Sequence, residues 1–162
     1  MSLEEQQPIT TAIVPMRGDI IENVTYLEYL FHLYIVKHFC TDDIKSKEMV
    51  SLILGPSVEL MNEYKIVRYL LETYNKALLE SNKSILADMQ KVIEHRNIFA
   101  HWITDYSPEA IHQFKKNNVV RLVHFKRTSG EFANSLVIDV AYFSDLLKKI
   151  WDCIKFMEKV AL

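Results

Sequence analysis

The chain has 162 residues, 49% of them hydrophobic and 25% charged, and a formal net charge of -2. That length lets one domain bury a core without disulfides or a structural metal, and the near-neutral charge excludes a globally basic surface, so any phosphate chain must be met by a local cluster of cations. Cys40 and Cys153 have neither the number nor the spacing of a disulfide framework or zinc site. The first thirty residues show no basic segment followed by an apolar run, and Glu28, His32 and Lys37 interrupt the best apolar stretch. These features predict a cytoplasmic protein without a membrane span.

With only three glycines and four prolines, few and long elements are expected. Residues 1–18 are polar, carry Pro8 and Pro15 and show no sustained period, so they are expected to form an N-terminal arm or tail. Residues 19–162 then read as a single helical domain. From Asp19 to Cys40, Ile20, Val24, Leu27, Phe31, Tyr34, Ile35 and His38 repeat at three and four, while Tyr26, Tyr29, Leu30, Leu33 and Val36 widen the stripe. A helix apolar on so many sides implies more than one covered surface. Thr41 and Asp42 predict the cap of a shorter helix that Gly55 and Pro56 stop after Leu54. Ser57 is expected to cap a third, with Leu60, Tyr64, Val67, Leu71, Tyr74 and Leu78 on one side to about Leu79. A fourth runs from about Ser84 to His101.

After Pro108 the period changes. Val119 to Arg127 and Phe132 to Ile138 are rich in β-branched and aromatic residues and flank the turn sequence TSGE, which predicts a hairpin over about 119–138. Asp139 or a neighbour starts a last helix, with Phe143, Leu146, Leu147, Ile150, Ile154 and Met157 as its stripe. The expected fold is all-α, a bundle of four to five helices with a small β-hairpin inserted before the last.

One stretch, VIEHRNIFAHW from Val92 to Trp102, breaks its own pattern. At about 100° per residue and with Met89 as zero, Ile85, Leu86, Val92, Ile93 and Ala100 fall within about 60°, and Arg96 falls at about 340°, inside the apolar stripe. Asn97 at about 80° and His101 at about 120° lie one turn apart on the adjoining edge. A charge at a core-facing position needs a carboxylate such as Glu22 or Glu28, a subunit interface or an anionic ligand. In a purely structural reading Arg96 has such a carboxylate, and His101 is a C-terminal histidine favoured by the helix dipole.

The residues RNIFAH, Arg96 to His101, resemble the R-x4-6-H signature of the HEPN superfamily, in the form RNxxAH, near the end of a core helix. The resemblance rests on about six residues and their helical context. It implies a compact helical bundle of HEPN type and a metal-independent endoribonuclease, with no cofactor. Cleavage by attack of the RNA 2′-OH on the adjacent phosphorus needs a base, an acid for the leaving 5′-oxygen and positive charge at the phosphorane. His101 is suited to proton transfer and Arg96 to a planar grip on phosphate oxygens, while Asn97 orients the phosphate or His101. One histidine cannot hold both proton roles at once, so a homodimer with a composite active site is expected, as is typical of HEPN proteins.

Other candidates are subsidiary. His95 is a possible further acid or base but lies on the opposite side of the helix from Asn97, and Glu22 on the first helix is a possible auxiliary group. Lys115, Lys116, Arg121, Lys126 and Arg127 are candidates for a basic RNA-binding rim, or simply solvated charges. No phosphate-binding glycine loop, metal-binding cluster or nucleophile elbow is legible. HEPN toxins paired with minimal nucleotidyltransferases carry a tyrosine two residues after the histidine, where this chain has Ile103 after Trp102, so control by that route is not expected. The resemblance suggests a prokaryotic toxin or defence-related ribonuclease, in a toxin–antitoxin or other setting, with RNA and a protein antitoxin or regulator as partners. Its alternative is a catalytically inactive HEPN-like module for nucleotide or RNA binding or for dimerisation.

Overall fold

The computed structural model describes residues 3–126 and 131–162, and the chain is mostly helical with a small three-stranded antiparallel sheet. In order, the elements are α1 (Leu3–Phe39), α2 (Asp43–Met49), a π-helical stretch (Val50–Leu54), α3 (Gly55–Ser57), α4 (Leu60–Tyr74), α5 (Lys76–Glu80), α6 (Ile85–His101), β1 (Ile103–Thr104), α7 (Pro108–Asn117), β2 (Val120–Lys126), β3 (Glu131–Ile138) and α8 (Val140–Ala161). They gather into two compact units, Met1–Glu22 with Glu94–Leu147, and Asn23–Ile93 with Lys148–Leu162. Helices α1, α6 and α8 contribute residues to both. No helix among the described residues is long and apolar enough to cross a membrane.

The unit of residues 23–93 and 148–162 is helical. Val24, Leu27, Phe31 and Ile35 of α1 are fully buried, as are Val67 and Leu71 of α4, Met89, Val92 and Ile93 of α6, and Ile150, Cys153 and Met157 of α8. Each set recurs at three or four residues, the spacing that puts one stripe of a helix into a shared core. Polar tips tie the helices at the edges of that core. The Tyr34 hydroxyl donates to Asn75 Oδ1 at 2.5 Å and the Tyr64 hydroxyl to the Leu86 carbonyl at 2.8 Å. Lys149 pairs with Asp88 at 3.0 Å, joining α8 to α6. Burial pushes the Cys153 thiol up to about 12, so it serves as a small apolar filler rather than a nucleophile.

Two expected boundaries move. Asp42 does cap α2, accepting from the Lys45 N–H at 2.8 Å, but Gly55 and Pro56 do not stop the chain there. Gly55 keeps helical angles, φ -58° and ψ -51°, and proline is compatible with the first turn of a helix because its missing N–H would have had no partner. Ser57 therefore ends α3, and Glu59 precedes α4 without a side-chain cap. The third helix breaks at Asn75, which receives the Tyr34 hydroxyl, and α5 follows as a separate turn.

In the unit of residues 1–22 and 94–147, the expected N-terminal arm is instead helical from Leu3, and the boundary at residue 18/19 falls inside α1. Ile9, Ile13 and Ile20 are buried, continuing the α1 stripe at four and seven residues. Tertiary burial outweighs the cost of Pro8 and Pro15 within the helix. Gly18 is exposed, and a Cβ added there would meet nothing within 4 Å. Gly18→Ala is therefore expected to raise stability by roughly 0.5–1 kcal/mol, the helix-interior difference between the two residues. A urea midpoint that fell instead would contradict a helix running through this position.

The hairpin forms as expected from β2 and β3, with Val120 opposite Ile138 and Leu122 opposite Leu136, and an irregularity between His124 and Phe125. Arg127 and the turn residues Thr128, Ser129 and Gly130 lie outside the described residues, as does the Lys126 side chain. The short strand β1 adds to the other edge of β2, with Ile103 opposite Val123 and Thr104 opposite Leu122. Two residues carry too little period to be seen in advance. Helix α7 falls in a stretch from which no helix is expected. Its ends nevertheless carry ordinary signals: Ser107 Oγ accepts from the Ala110 N–H, Pro108 occupies the first turn, and Asn118 closes the helix in the left-handed region at φ 53°. Asp139 caps α8 as expected, accepting from the Tyr142 N–H at 2.7 Å.

Candidate functional site

Arg96, Asn97 and His101 occupy the last two turns of α6. The buried face of this helix includes Ile85, Met89, Val92, Ile93 and Phe99, so Arg96 does fall in the angular sector of the apolar stripe. It is nevertheless only half-buried, and Asn97 and His101 are exposed. Arg96 Nη1 donates to Asn97 Oδ1 at 3.2 Å, so the two adjacent side chains hold one another. Among the described residues no carboxylate pairs with Arg96.

The C-terminus of α6 is closed from α1. Arg17 donates through Nη1 to the Phe99 carbonyl and through Nη2 to the Trp102 carbonyl, both at 2.6 Å, and Nη2 also reaches Thr104 Oγ1 at 3.3 Å. A helix end leaves carbonyls without partners and a partial negative charge, and a guanidinium satisfies both. Burial pulls the Arg17 pKa below its ordinary value, partly countered by Tyr106, yet it stays a cation near neutrality. Sequence reasoning missed this residue because it placed Arg17 in a tail. Its role follows only from the long-range contacts that carry it to the Phe99 and Trp102 carbonyls.

Arg121 is engaged rather than free. Its guanidinium pairs with Asp105 at 2.5 Å and donates to Ser107 Oγ at 3.2 Å, fastening β2 to the start of α7. Burial alone would raise the Asp105 pKa, but the Ser107 N–H and hydroxyl and the Arg121 charge hold its carboxyl below the usual range. A depressed folded pKa contributes stability above the unfolded value of about 3.9 and loses it as pH falls through the folded one. Asp105→Asn is thus expected to lower stability at pH 7 and to flatten the decline measured below about pH 4.

The remaining candidates separate. Lys115 and Lys116 are exposed on the last turn of α7, where they also face the negative helix end. Glu22 is exposed on α1. His95 is half-buried with its ring 5.8 Å from that of Tyr142. One histidine not singled out from sequence, His124 on β2, stacks on Trp102 with ring centroids 5.5 Å apart and planes 19° apart. A cleft of about 460 Å³ follows the motif, lined by Ile103, Tyr106, Arg121, Val123 and Phe132 among others. In the other unit, donor atoms of Glu28, His32 and Glu63 lie within 4.8 Å of one another. The E-x-x-x-H spacing of the first two was their available signal.

No family model, no curated protein and no solved structure matches the chain.

Proposed function

We propose that the chain is a metal-independent endoribonuclease of HEPN type, built on a HEPN-like helical bundle, with Arg96, Asn97 and His101 as its catalytic group. The observation that carries the reading is that neither structural role for the motif is needed. Arg17 takes the Phe99 and Trp102 carbonyls at the end of α6, and Arg96 has Asn97 rather than a carboxylate for its partner. A half-buried guanidinium beside an exposed amide and an exposed imidazole is a grouping for an anion at the surface. In cleavage, Arg96 neutralises the phosphorane, Asn97 steadies it, and His101 moves a proton to or from the reacting oxygens. A second protomer supplies the complementary proton group, making the enzyme a homodimer with a composite site. Tyr106 and Phe132, in the cleft whose lining begins at Ile103, offer rings for unpaired bases, and Lys115 and Lys116 offer phosphate contacts.

The test is incubation of purified protein with mixed RNA in chelator, followed by identification of product ends. Products ending in 2′,3′-cyclic phosphate, absent with His101→Ala, are expected. Retention of RNA without cleavage, weakened by Arg96→Ala, would instead establish the binding module. A toxin or defence role, with a protein antitoxin or regulator as restraint, is the biological setting in which such an enzyme fits.

A further inference from the structure

We propose that Glu28, His32 and Glu63 form a buried site for one divalent transition-metal ion, which clips α1 to α4. The inference is independent of the ribonuclease reading, since these residues lie in the unit of residues 23–93 and 148–162. Glu28 and His32 stand four residues apart on α1, the separation that brings two side chains to one helix face. Glu63 projects from the first turn of α4. It is completely buried, and His32 is 8% exposed.

Burying a carboxylate is costly unless both oxygens find partners. Glu63 Oε1 meets His32 Nε2 at 2.9 Å, but its Oε2 is buried without a hydrogen-bond partner among the described residues. An acceptor with nothing to accept is the arrangement that a cation completes, because a carboxylate can ligate through either oxygen. The distances agree. Two donors on one small ion at bond lengths of about 2.1 Å stand roughly 3.0 Å apart at right angles and about 3.4 Å apart at the tetrahedral angle. The Nε2 to Oε1 separation of 2.9 Å matches the first of these, with Glu63 bound through both oxygens so that Oε2 gains a partner as well, and all three donor atoms fall within 4.8 Å.

The charges also agree. A divalent ion balances two carboxylate ligands in a place that tolerates net charge poorly. One imidazole and two carboxylates form a set of intermediate hardness that suits Zn²⁺, Mn²⁺ or Fe²⁺ rather than a soft thiophilic ion. The ion's place between α1 and α4 makes it a structural tie. His32 Nε2 gives up its bond to Glu63 for the metal, and the two ligands then meet through the ion.

The full chain is stripped with chelator, desalted, and titrated with Zn²⁺ and with Co²⁺, reading metal content, the visible Co²⁺ spectrum and the thermal midpoint. One equivalent bound, a ligand-field spectrum of nitrogen and oxygen donors, and a midpoint that climbs with free metal are expected. Glu63→Gln and His32→Gln are each expected to weaken binding by at least about 100-fold, beyond the 10–100-fold typical of losing an outer-shell partner. No uptake by the wild-type chain, or uptake undiminished in both variants, overturns the proposal. Should Glu63→Gln not fold, the imidazole NMR signals of wild-type protein decide: a shift confined to His32 on adding Zn²⁺ supports the site, and an unmoved His32 refutes it. None of these readouts involves RNA, so the outcome is separate from that of the cleavage assay.

Discussion

His101→Ala is expected to reduce RNA cleavage by about 10²–10⁴-fold, the range for loss of one positioned acid or base. The side chain is exposed at the last residue of α6, and the helix end is satisfied by Arg17, so removing the imidazole leaves no buried group without a partner. The thermal midpoint should therefore stay near that of the parent, and loss of activity with an unchanged midpoint is the signature of chemistry rather than folding. Arg96→Ala should lower cleavage by about 10²–10³-fold, as losing one preorganised donor to a transition-state oxyanion does. Arg96→Lys should restore little of this, because an ammonium replaces the planar fork with a single point of charge. Equal cleavage by parent and both alanine variants would end the catalytic assignment, and a strictly monomeric active enzyme would end the composite site.

The second large effect concerns Arg17. Arg17→Ala is expected to cost about 2–4 kcal/mol, since hydrogen bonds from a charged donor contribute about 1.5–3 kcal/mol each and this site is partly open to solvent. The Phe99 carbonyl in the last turn of α6 and the Trp102 carbonyl just after it would lose their donor together with the Thr104 hydroxyl. The consequence reaches the motif, because the last turn carries His101. Denaturant unfolding should show the lost stability, and cleavage at temperatures where the variant is still folded should fall as the last turn frays. Arg17→Lys should recover part of the charge term and only one of the two short bonds. A variant as stable as the parent would mean that water serves the end of α6 equally well.

These effects differ in how far they can be foreseen. His101 and Arg96 stand out in the linear chain because a helix of period 3.6 converts residue number into direction: an arginine at about 340° in an apolar stripe is visible without coordinates. The long helices are visible for the same reason, and the α6 limits, the Asp42 and Asp139 caps and the β2–β3 hairpin follow from residues acting on their immediate neighbours. Helix α1 shows where this stops. Pro8 and Pro15 argue locally against a helix, and the buried Ile9 and Ile13 decide otherwise, because burial against distant residues outweighs local propensity.

The same division separates the two sites. Arg96, Asn97 and His101 lie within six residues, so composition and spacing were enough to raise them. Arg17 meets Phe99 across 82 positions, Arg121 meets Asp105 across 16, and His32 meets Glu63 across 31. Local pattern carries no information about which distant group a long polar side chain will reach. Periodicity thus settled the long helices from Asp19 onward, while the helical start of α1 and the partners of Arg17, Arg121 and Glu63 were decided by the packing of remote segments, where a charge left without a partner is costly.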